Sequence, residues 1–508
     1  MVEGQGRELG APGRDRRPHQ HRRHHARQPR RSPYTPTYWA GYAHRTAYYS
    51  RDFAHQLAGA HLLGFDAENK NMLRSFAESA TEEHTFYPVW AINFDASTWH
   101  TIDYKSPTNF VREVPATFEL VEKANQAFRW TGDRAYLDDP VFWDYYRRAT
   151  NDFVALHDGA KPNQVAEGTG KGIFQGVASY NEVSKEPLAE AGDGIGAQYQ
   201  AYRALADMSF DKRDLRLSLT TAQKARDLKK YFNQTWSVQP GSDEFVRAYT
   251  IDGTPLTGFG KENSWFMPMK GIIDAGPRND AYLDFIDAEA TGADRPGNIE
   301  AITYLPDTFF RHNRDDTAWK WMQYVYDQRE VKHVSNRQGL NGDYPEVPFT
   351  LVSQTVEGLM GIQPDAPRRT MATQSRLPAG MDWLQVADVP VADGTVTVRH
   401  DGHAATTFTN KTDGMLFWQA RFLGNTGGWR STGIGCRGSR RSSTASATPS
   451  PRCRSAPAGR PPPRFSPDRR PRQCAAPSQD GSGRCQRVDS RAMSSKGAVY
   501  SPLWREGA

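Results

Sequence analysis

Apolar residues recur at three- and four-residue spacing through most of the chain between residues 48 and 362, and this period predicts helices. Helices of two kinds alternate. The first kind is apolar on most sides: Tyr49–Leu63, Phe110–Trp130, Asp193–Met208, Ser264–Ala275, Ile299–Arg311 and Glu346–Gly361. The second kind is charged and amphipathic: Ala67–Ala80, Arg134–Leu156, Asp211–Phe232, Asp280–Ala290 and Asp315–Arg329. Two concentric rings of helices require inner helices that are buried on all sides, alternating along the chain with outer helices that expose one face to solvent.

After Pro364 the period changes to two, and alternating apolar and polar residues predict antiparallel strands. The predicted strands are Met381–Val389, Gly394–His400, Ala405–Asn410 and Met415–Leu423. Asp-Gly pairs that begin at Asp393, Asp401 and Asp413 separate them and favour tight turns. The sequence therefore predicts a mainly α chain, with a helical barrel over residues 34–364 and a small antiparallel β unit over residues 365–424.

The two ends of the chain have a different composition. Residues 1–33 are rich in Arg, His, Pro and Gly, and residues 425–508 are rich in Arg, Ser, Pro and Gly, without apolar periodicity. Neither segment can bury enough apolar surface to offset the entropy of ordering, so both are predicted to be disordered. The abrupt change at Asn425, where further strands are expected, indicates a truncated β unit and a frame-shifted tail.

Charge and cysteine content narrow the function classes. The chain has a net charge of +6, but the two end segments carry +6 and +12, which leaves residues 34–424 at −12. An acidic body argues against a nucleic-acid partner, whose phosphates need clustered Lys and Arg. All four cysteines lie after residue 425, so we expect no cysteine metal site, and no cofactor is predicted. Without a long apolar run we also expect no membrane span, and the compartment and the oligomeric state stay open.

Candidate chemistry is concentrated in the polar loops that precede the apolar helices and in the first turns of those helices. The acids there are Asp52, Asp95, Glu182, Asp193, Glu262, Asp343 and Glu346, and the large rings are Trp90, Trp99, Tyr180 and Trp265. Acids beside flat rings suit a sugar, whose hydroxyls need hydrogen-bond acceptors and whose C–H faces stack on aromatics. We expect Asp52, Trp90, Asp95, Trp99, Tyr180, Glu262 and Trp265 to contact an oligosaccharide or glycoside substrate.

Several short motifs carry a resemblance to a known superfamily. The YNE segment at Tyr180–Glu182, GDGIGAQYQAY at Gly192–Tyr202, GDYPE at Gly342–Glu346 and the trailing β unit resemble the six-hairpin (α/α)6 glycoside hydrolases, the group with glucoamylase-like and rhamnosidase-like enzymes. The resemblance implies an (α/α)6 toroid and hydrolysis of glycosidic bonds by two carboxyl groups, commonly with inversion. The chain departs from the glucoamylase pattern, since it lacks paired glutamates after the aromatic residue and a Glu-Gln-Tyr-like base segment.

The same resemblance implies where the catalytic groups lie. In glucoamylase-like members the acid precedes the third inner helix and the base precedes the sixth. Glu182 is then the first candidate for the acid and Asp193 the second, whereas Asp343 and Glu346 are equal candidates for the base.

Other interpretations remain open at this point. Asp52, Asp193 and Glu346 are also suited to cap helices, and the tryptophans are also suited to fill a core. A sugar epimerase or polysaccharide lyase on the same toroid would use His and Tyr as proton-transfer groups, for which Tyr180, His84, His100 and His312 are available. A third possibility is a carbohydrate-binding relic without chemistry.

Overall fold

The computed structural model describes residues 35–94, 98–181 and 185–422. The end segments predicted to be disordered, 1–33 and 425–508, lie outside the described residues. The helices of the described part are α1 (Ser50–Leu62), α2 (Asp66–Ser79), α3 (Val114–Thr131), α4 (Ala135–Asp138), α5 (Pro140–Thr150), α6 (Asp152–Leu156), α7 (Gly192–Asp211), α8 (Leu215–Tyr231), α9 (Glu262–Lys270), α10 (Pro277–Thr291), α11 (Ile299–Ile302), α12 (Leu305–Phe310), α13 (Asp315–Asp327) and α14 (Glu346–Ser353).

Six helical positions of the described chain form a closed inner ring. Neighbours pack in the order α1, α3, α7, α9 and α12; α12 packs against the π-helical segment Gln354–Leu359 that continues α14, and α14 packs back onto α1. The predicted apolar helices supply this ring, and the predicted amphipathic helices α2, α5, α8, α10 and α13 cover it from outside. Ring closure needs a glycine at Gly59, because a Cβ there would lie 2.1 Å from the carbonyl oxygen of Phe349. The fold is an (α/α)6 toroid.

Three predicted helices differ in detail from the observed ones. Predicted helix 134–156 is divided into α4, α5 and α6, and α5 begins at Pro140 with Asp139 accepting a hydrogen bond from the N–H of Val141. Predicted helix 299–311 is divided into α11 and α12, since Pro306 has no N–H to donate to residue 302. The last predicted helix changes after α14 into a π-helical segment, Gln354–Leu359.

The strands that pair within the described residues are short in the loops and longer after the ring. They are β1 (Ala47–Tyr49), β2 (Ala91–Asn93), β3 (Tyr104–Ser106), β4 (Asn109–Phe110), β5 (Leu188–Ala191), β6 (Val238–Gln239), β7 (Ser242–Phe245), β8 (Ala248–Thr250), β9 (Pro255–Leu256), β10 (Gln363–Asp365), β11 (Thr370–Gln374), β12 (Trp383–Val391), β13 (Gly394–Asp401), β14 (Ala405–Asn410) and β15 (Phe417–Arg421). As predicted, β12, β13 and β14 form an antiparallel meander.

The fourth predicted strand pairs differently from the expectation. β15 joins a second small sheet, in which it lies parallel to β11, while β11 pairs antiparallel with β10. The rings of Phe408 and Trp418 stack with centroids 5.2 Å apart and join the two sheets. This aromatic contact favours packing of β15 across the meander rather than extension of it.

The sheets lie at the end of the ring where the inner helices stop. The N–H of Ala392 donates to the carbonyl of Trp130 near the end of α3, and Nε2 of His61 near the end of α1 lies 3.0 Å from the carbonyl of Pro390. The helices of the ring therefore begin at the opposite end, which the β unit leaves uncovered. Within the described residues, none of the helices has the combination of length and apolar character needed to cross a bilayer.

Candidate active site

Acidic side chains gather where the inner helices begin, at an end of the barrel that we call the ring mouth. Asp52 lies in the first turn of α1, Asp193 in the first turn of α7, and Glu262 and Glu346 are the first residues of α9 and α14. The helix dipole favours negative charge at these positions, and unpaired N–H groups there need acceptors. Four of the acids predicted from the sequence thus lie around one opening, with Arg51 among them.

Asp52 and Glu346 form the first pair of acids. Oε1 of Glu346 lies 2.5 Å from Nδ1 of His55 and accepts a 3.1 Å hydrogen bond from the Thr303 hydroxyl, while the Tyr344 hydroxyl donates to Asp52. Burial and then the charge of Glu346 raise the pKa of Asp52 to about 7, against the opposing effect of the Tyr344 hydrogen bond. Asp52 therefore carries less than a full negative charge near neutral pH.

Asp193 belongs to the second pair and is completely buried. Its Oδ2 accepts hydrogen bonds from the Ser179 hydroxyl (2.9 Å) and the Tyr180 N–H (2.6 Å), and its Oδ1 accepts one from the Gly194 N–H (3.1 Å). Burial raises the pKa of Asp193 to about 7 despite these bonds. Because both oxygens are engaged with backbone and hydroxyl donors, Asp193 anchors the segment before α7.

Glu262, the partner of Asp193 in this second pair, is less engaged. Its Oε2 is buried and has no hydrogen-bond partner among the described residues. Burial raises the pKa of Glu262 to about 7, Asp193 adds to the rise, and Arg51 opposes it. The preceding residue, Lys261, has a φ of 55°, in the left-handed region that side chains other than glycine rarely adopt. The backbone of this loop is thus strained at Lys261, directly before a carboxyl group whose pKa lies near neutral pH.

Arg51 lies between the two pairs. Its guanidinium donates a 3.0 Å hydrogen bond to the carbonyl of Tyr180, and it lies 3.8 Å from Oε1 of Glu113. It opposes the rise in pKa of both Asp52 and Glu262, so its charge acts on both pairs. Sequence reasoning missed Glu113, which is buried and precedes α3 directly. The rule that selected the other acids, an acid just before an apolar helix, would have found it.

A buried ionic network lies beneath Tyr180, inside the ring. The Tyr180 hydroxyl donates a 2.6 Å hydrogen bond to Glu119, and the Lys270 ammonium donates to Glu119 and, at 2.6 Å, to Glu122. The Lys270 side chain is only 3% exposed. Lys270, Glu119 and Glu122 all lie within helices predicted to be apolar. Charged residues in such helices indicate a buried ion pair, which was not predicted from the sequence.

The first acid candidate from the sequence, Glu182, lies outside the described residues. One flank of its segment is tied to the loop before α9, where the Asn181 amide donates to the carbonyl of Gly260 (3.2 Å). The other flank is tied to Arg247, which forms two hydrogen bonds with Glu186 at 2.6 and 3.0 Å and also donates to the carbonyl of Thr257 in that loop. A paired Arg–carboxylate contact restrains both partners. The chain on either side of Glu182 is therefore held next to the loop that carries Glu262.

The two base candidates from the sequence occupy different environments. Asp343 is exposed, and its Oδ2 accepts a 2.7 Å hydrogen bond from the N–H of Leu340 within a short 3-10 turn. Glu346 is 2% exposed and faces the ring mouth. Asp95, predicted to bind substrate, lies outside the described residues.

The three predicted tryptophan platforms also differ. Trp90 is half-buried, donates from Nε1 to Glu113 at 2.8 Å and packs edge-on against Tyr49 near Arg51. Trp99 is half-buried and packs against Tyr104, with centroids 4.4 Å apart, in the loop before α3. Trp265 has no exposed surface and fills the core, so its ring offers no face to a ligand in this structure. Of the three, Trp90 has a direct link to a mouth residue.

The histidines considered for an epimerase or lyase form hydrogen-bond contacts elsewhere in the fold. His84, His100 and His312 have ring nitrogens next to Ser79, Asn93 and Pro268, respectively, and Pro268 lies near the end of α9. The histidine in contact with the mouth acids is His55. Its partners are 252 and 291 residues away in the chain, so local sequence carried no signal for them.

Comparison with known proteins gives likeness in structure alone. No family model and no curated protein matches the chain. Similar solved structures include a GH78 family rhamnosidase of Bacillus sp. GL1 (TM-score 0.47, 10% identity, 74% of this chain and 41% of that one) and an alpha-L-rhamnosidase from Dictyoglumus thermophilum (0.46, 10%, 70% and 39%). A glycosidase in complex with glucose is also similar (0.43, 12%, 63% and 91%). The chain thus spans less than half of either rhamnosidase.

Proposed function

We propose that this protein hydrolyses glycosidic bonds with two carboxyl groups at the ring mouth. The observation that carries the proposal is Glu262, a carboxyl group with a pKa of about 7 and a buried Oε2 that is unpartnered among the described residues; Arg51 opposes the rise of its pKa, as it does that of Asp52. Hydrolysis needs one carboxyl that still holds its proton and one that has lost it. Glu262 is the proposed group for the first role, and Glu346, which contacts His55 and Thr303, is the proposed group for the second.

Glu262 is the proposed proton donor. Its proton passes to the glycosidic oxygen as the bond from that oxygen to the anomeric carbon breaks, and the leaving sugar departs as an alcohol. Glu346 takes a proton from water, and the resulting hydroxide oxygen bonds to the anomeric carbon from the opposite face. The configuration would invert, and inverting enzymes in general hold their two carboxyl groups roughly 6.5–9.5 Å apart to leave room for this water.

The remaining mouth residues suit sugar binding. Asp52 accepts hydrogen bonds, Arg51 donates them, and Trp90 supplies an aromatic edge beside both. A glycoside or short oligosaccharide is the proposed substrate class. Glu182 is the second proposed donor, because its flanking residue Asn181 contacts the Glu262 loop.

A sugar epimerase is the alternative that one observation favours. His55 has a carboxylate oxygen next to each ring nitrogen, and a histidine among acids can move a proton at a carbon next to a carbonyl. Incubation of reducing disaccharides in heavy water distinguishes the two reactions. Deuterium on the sugar carbon without bond cleavage supports epimerisation, and cleavage without deuterium on carbon supports hydrolysis.

The direct test is a panel of aryl glycosides assayed with the full chain and with Glu262→Gln and Glu346→Gln. We expect each variant to lose about 10³-fold in kcat while still binding sugar. Glu330→Gln is the matched control, because Glu330 is exposed on the outer surface. Unchanged turnover in both mouth variants would contradict the proposal, and loss in Glu182→Gln with full activity in Glu262→Gln would move the donor to Glu182.

A further inference from the structure

His55 lies on α1 one turn after Asp52, inside the ring mouth. Nδ1 of His55 is 2.5 Å from Oε1 of Glu346, and Nε2 is 3.2 Å from Oδ2 of Asp307. Its ring stacks on Tyr304 with centroids 3.8 Å apart and planes 6° from parallel. The His55 side chain is 8% exposed and Glu346 is 2% exposed, so water competes weakly for either group.

The two carboxylate contacts decide the charge of this ring. A neutral imidazole has one N–H, and its second nitrogen is an acceptor that would face a carboxylate oxygen. The imidazolium has two N–H groups and can donate to Glu346 and Asp307 at once. Burial lowers the pKa of His55, but the hydrogen bonds and charges of Asp307 and Glu346 outweigh burial and raise the pKa above its ordinary value.

Other polar groups restrain the same arrangement. The Thr303 hydroxyl donates to Glu346, and the Gln354 amide donates a 3.1 Å hydrogen bond to Asp307. The charged and titratable groups around the imidazole are Arg51 and Asp52 from its own helix, Glu300, Tyr304 and Asp307 from α11 to α12, and Tyr344 and Glu346 at the start of α14. Four of these are acids and one is a permanent cation, so the surroundings favour a positive ring.

We propose that His55, as an imidazolium clamped between Glu346 and Asp307, is a positioning residue that keeps the Glu346 carboxyl group oriented to accept the proton of the attacking water. This rests on the proposed hydrolysis. The stack on Tyr304 sets the plane of the ring, and the plane sets which oxygen of Glu346 is occupied. The other oxygen, Oε2, is then the one directed to water.

The first test reads the charge of His55 without any substrate. In the full chain labelled with ¹⁵N-histidine, the resonance lost in His55→Gln identifies the ring. We expect both ring nitrogens of His55 to be protonated at about pH 7, and Glu346→Gln to lower the pH at which that proton is lost. A neutral ring at about pH 7 in the wild-type protein overturns the inference.

The second test reads the consequence for turnover. We expect His55→Gln to lower kcat by roughly 10²-fold with little change in KM, and to move the acidic limb of the pH profile to higher pH. His61→Gln is the matched control, because His61 is also buried on α1 beside an aspartate but lies at the far end of the ring. Thermal melts of both variants check folding, and Asp307→Asn, at a site with 37% side-chain exposure, should shift the same limb by less.

The outcomes separate this inference from the proposed function. An unchanged pH profile in His55→Gln, in an enzyme that hydrolyses glycosides, overturns the role of His55 alone. Absence of turnover in the wild-type protein on every glycoside contradicts the proposed function instead, and it leaves the charge measured for His55 as it is.

Discussion

The two acid pairs of the ring mouth differ in what surrounds them. Asp193 is completely buried and Glu262 is half-buried with its Oε2 buried, and burial is the first cause of the pKa of about 7 at each. Asp52 and Glu346 are also buried, but His55 contacts Glu346 and Tyr344 contacts Asp52. Burial raises the pKa of Asp52 to about 7 as well, so what distinguishes the second pair is that His55 and Tyr344 are donors that can stabilise a negative charge there.

The comparison shows how one opening can hold both a donor and an acceptor of protons. Neither role follows from residue type, since both pairs combine one Asp with one Glu. Within the Asp193–Glu262 pair, backbone and hydroxyl contacts occupy Asp193, while Oε2 of Glu262 stays free of partners in the described chain. Burial sets the charge, and the remaining hydrogen-bonding capacity sets which acid can reach a substrate.

The largest expected effect separates the roles of the two pairs. Glu262→Gln should lower kcat/KM by about 10³-fold on glycosides with poor leaving groups and far less on those with a dinitrophenolate leaving group, which departs without a proton. Glu346→Gln should lower kcat/KM by a similar factor on both kinds of glycoside. The check is a plot of log kcat/KM against leaving-group pKa, and equal slopes in the two variants would contradict the assignment.

The pH dependence of kcat/KM should follow the protonation of the proposed donor, Glu262. Glu262 must hold its proton to act, so kcat/KM should fall about tenfold per pH unit above its pKa of about 7. Removing the opposing charge with Arg51→Met should move this limb to higher pH, because Arg51 holds the pKa of Glu262 down. A limb that stays in place in this variant would show that another group controls it.

In the Glu262→Gln variant, the free energy of unfolding should rise although the activity falls. The folded chain holds a proton on Glu262 up to about pH 7, while the unfolded chain releases it near 4.5, so this stabilising contribution is complete below the lower value and lost as the pH rises through the higher one. Glu262→Gln removes the loss and should raise the free energy of unfolding by about 2 kcal/mol at about pH 8. Denaturant titrations at about pH 8 and about pH 4 measure it, and the gain should vanish at the lower pH.

The smallest effect is expected at Asp343. Asp343→Asn keeps an oxygen for the N–H of Leu340 and changes a side chain that is exposed. We expect kcat/KM within about twofold of the wild-type value, as for surface substitutions in general. A loss comparable to that in Glu346→Gln would return the base role to Asp343.

Much of the ring was predictable from local pattern, because a helical face that must be buried repeats every three to four residues. Gly192–Asp211 and Ala405–Asn410 agree with the predicted elements to within a few residues. The pairing of β15 was not predictable in the same way, since an alternating strand does not specify its neighbour. The acids were found because they stand at helix starts, and His55 was not, because its partners come from distant segments.

The sequence by itself determined that apolar and amphipathic helices alternate and that acids mark the starts of the apolar ones, since both are properties of neighbouring residues. Only the tertiary structure decided that Glu346 rather than Asp343 faces the mouth, that Trp265 is core, and that Arg51 and His55 stand beside the two acid pairs. Charge state depends on burial and on partners brought together by the closed ring, and neither is written in the local order of residues.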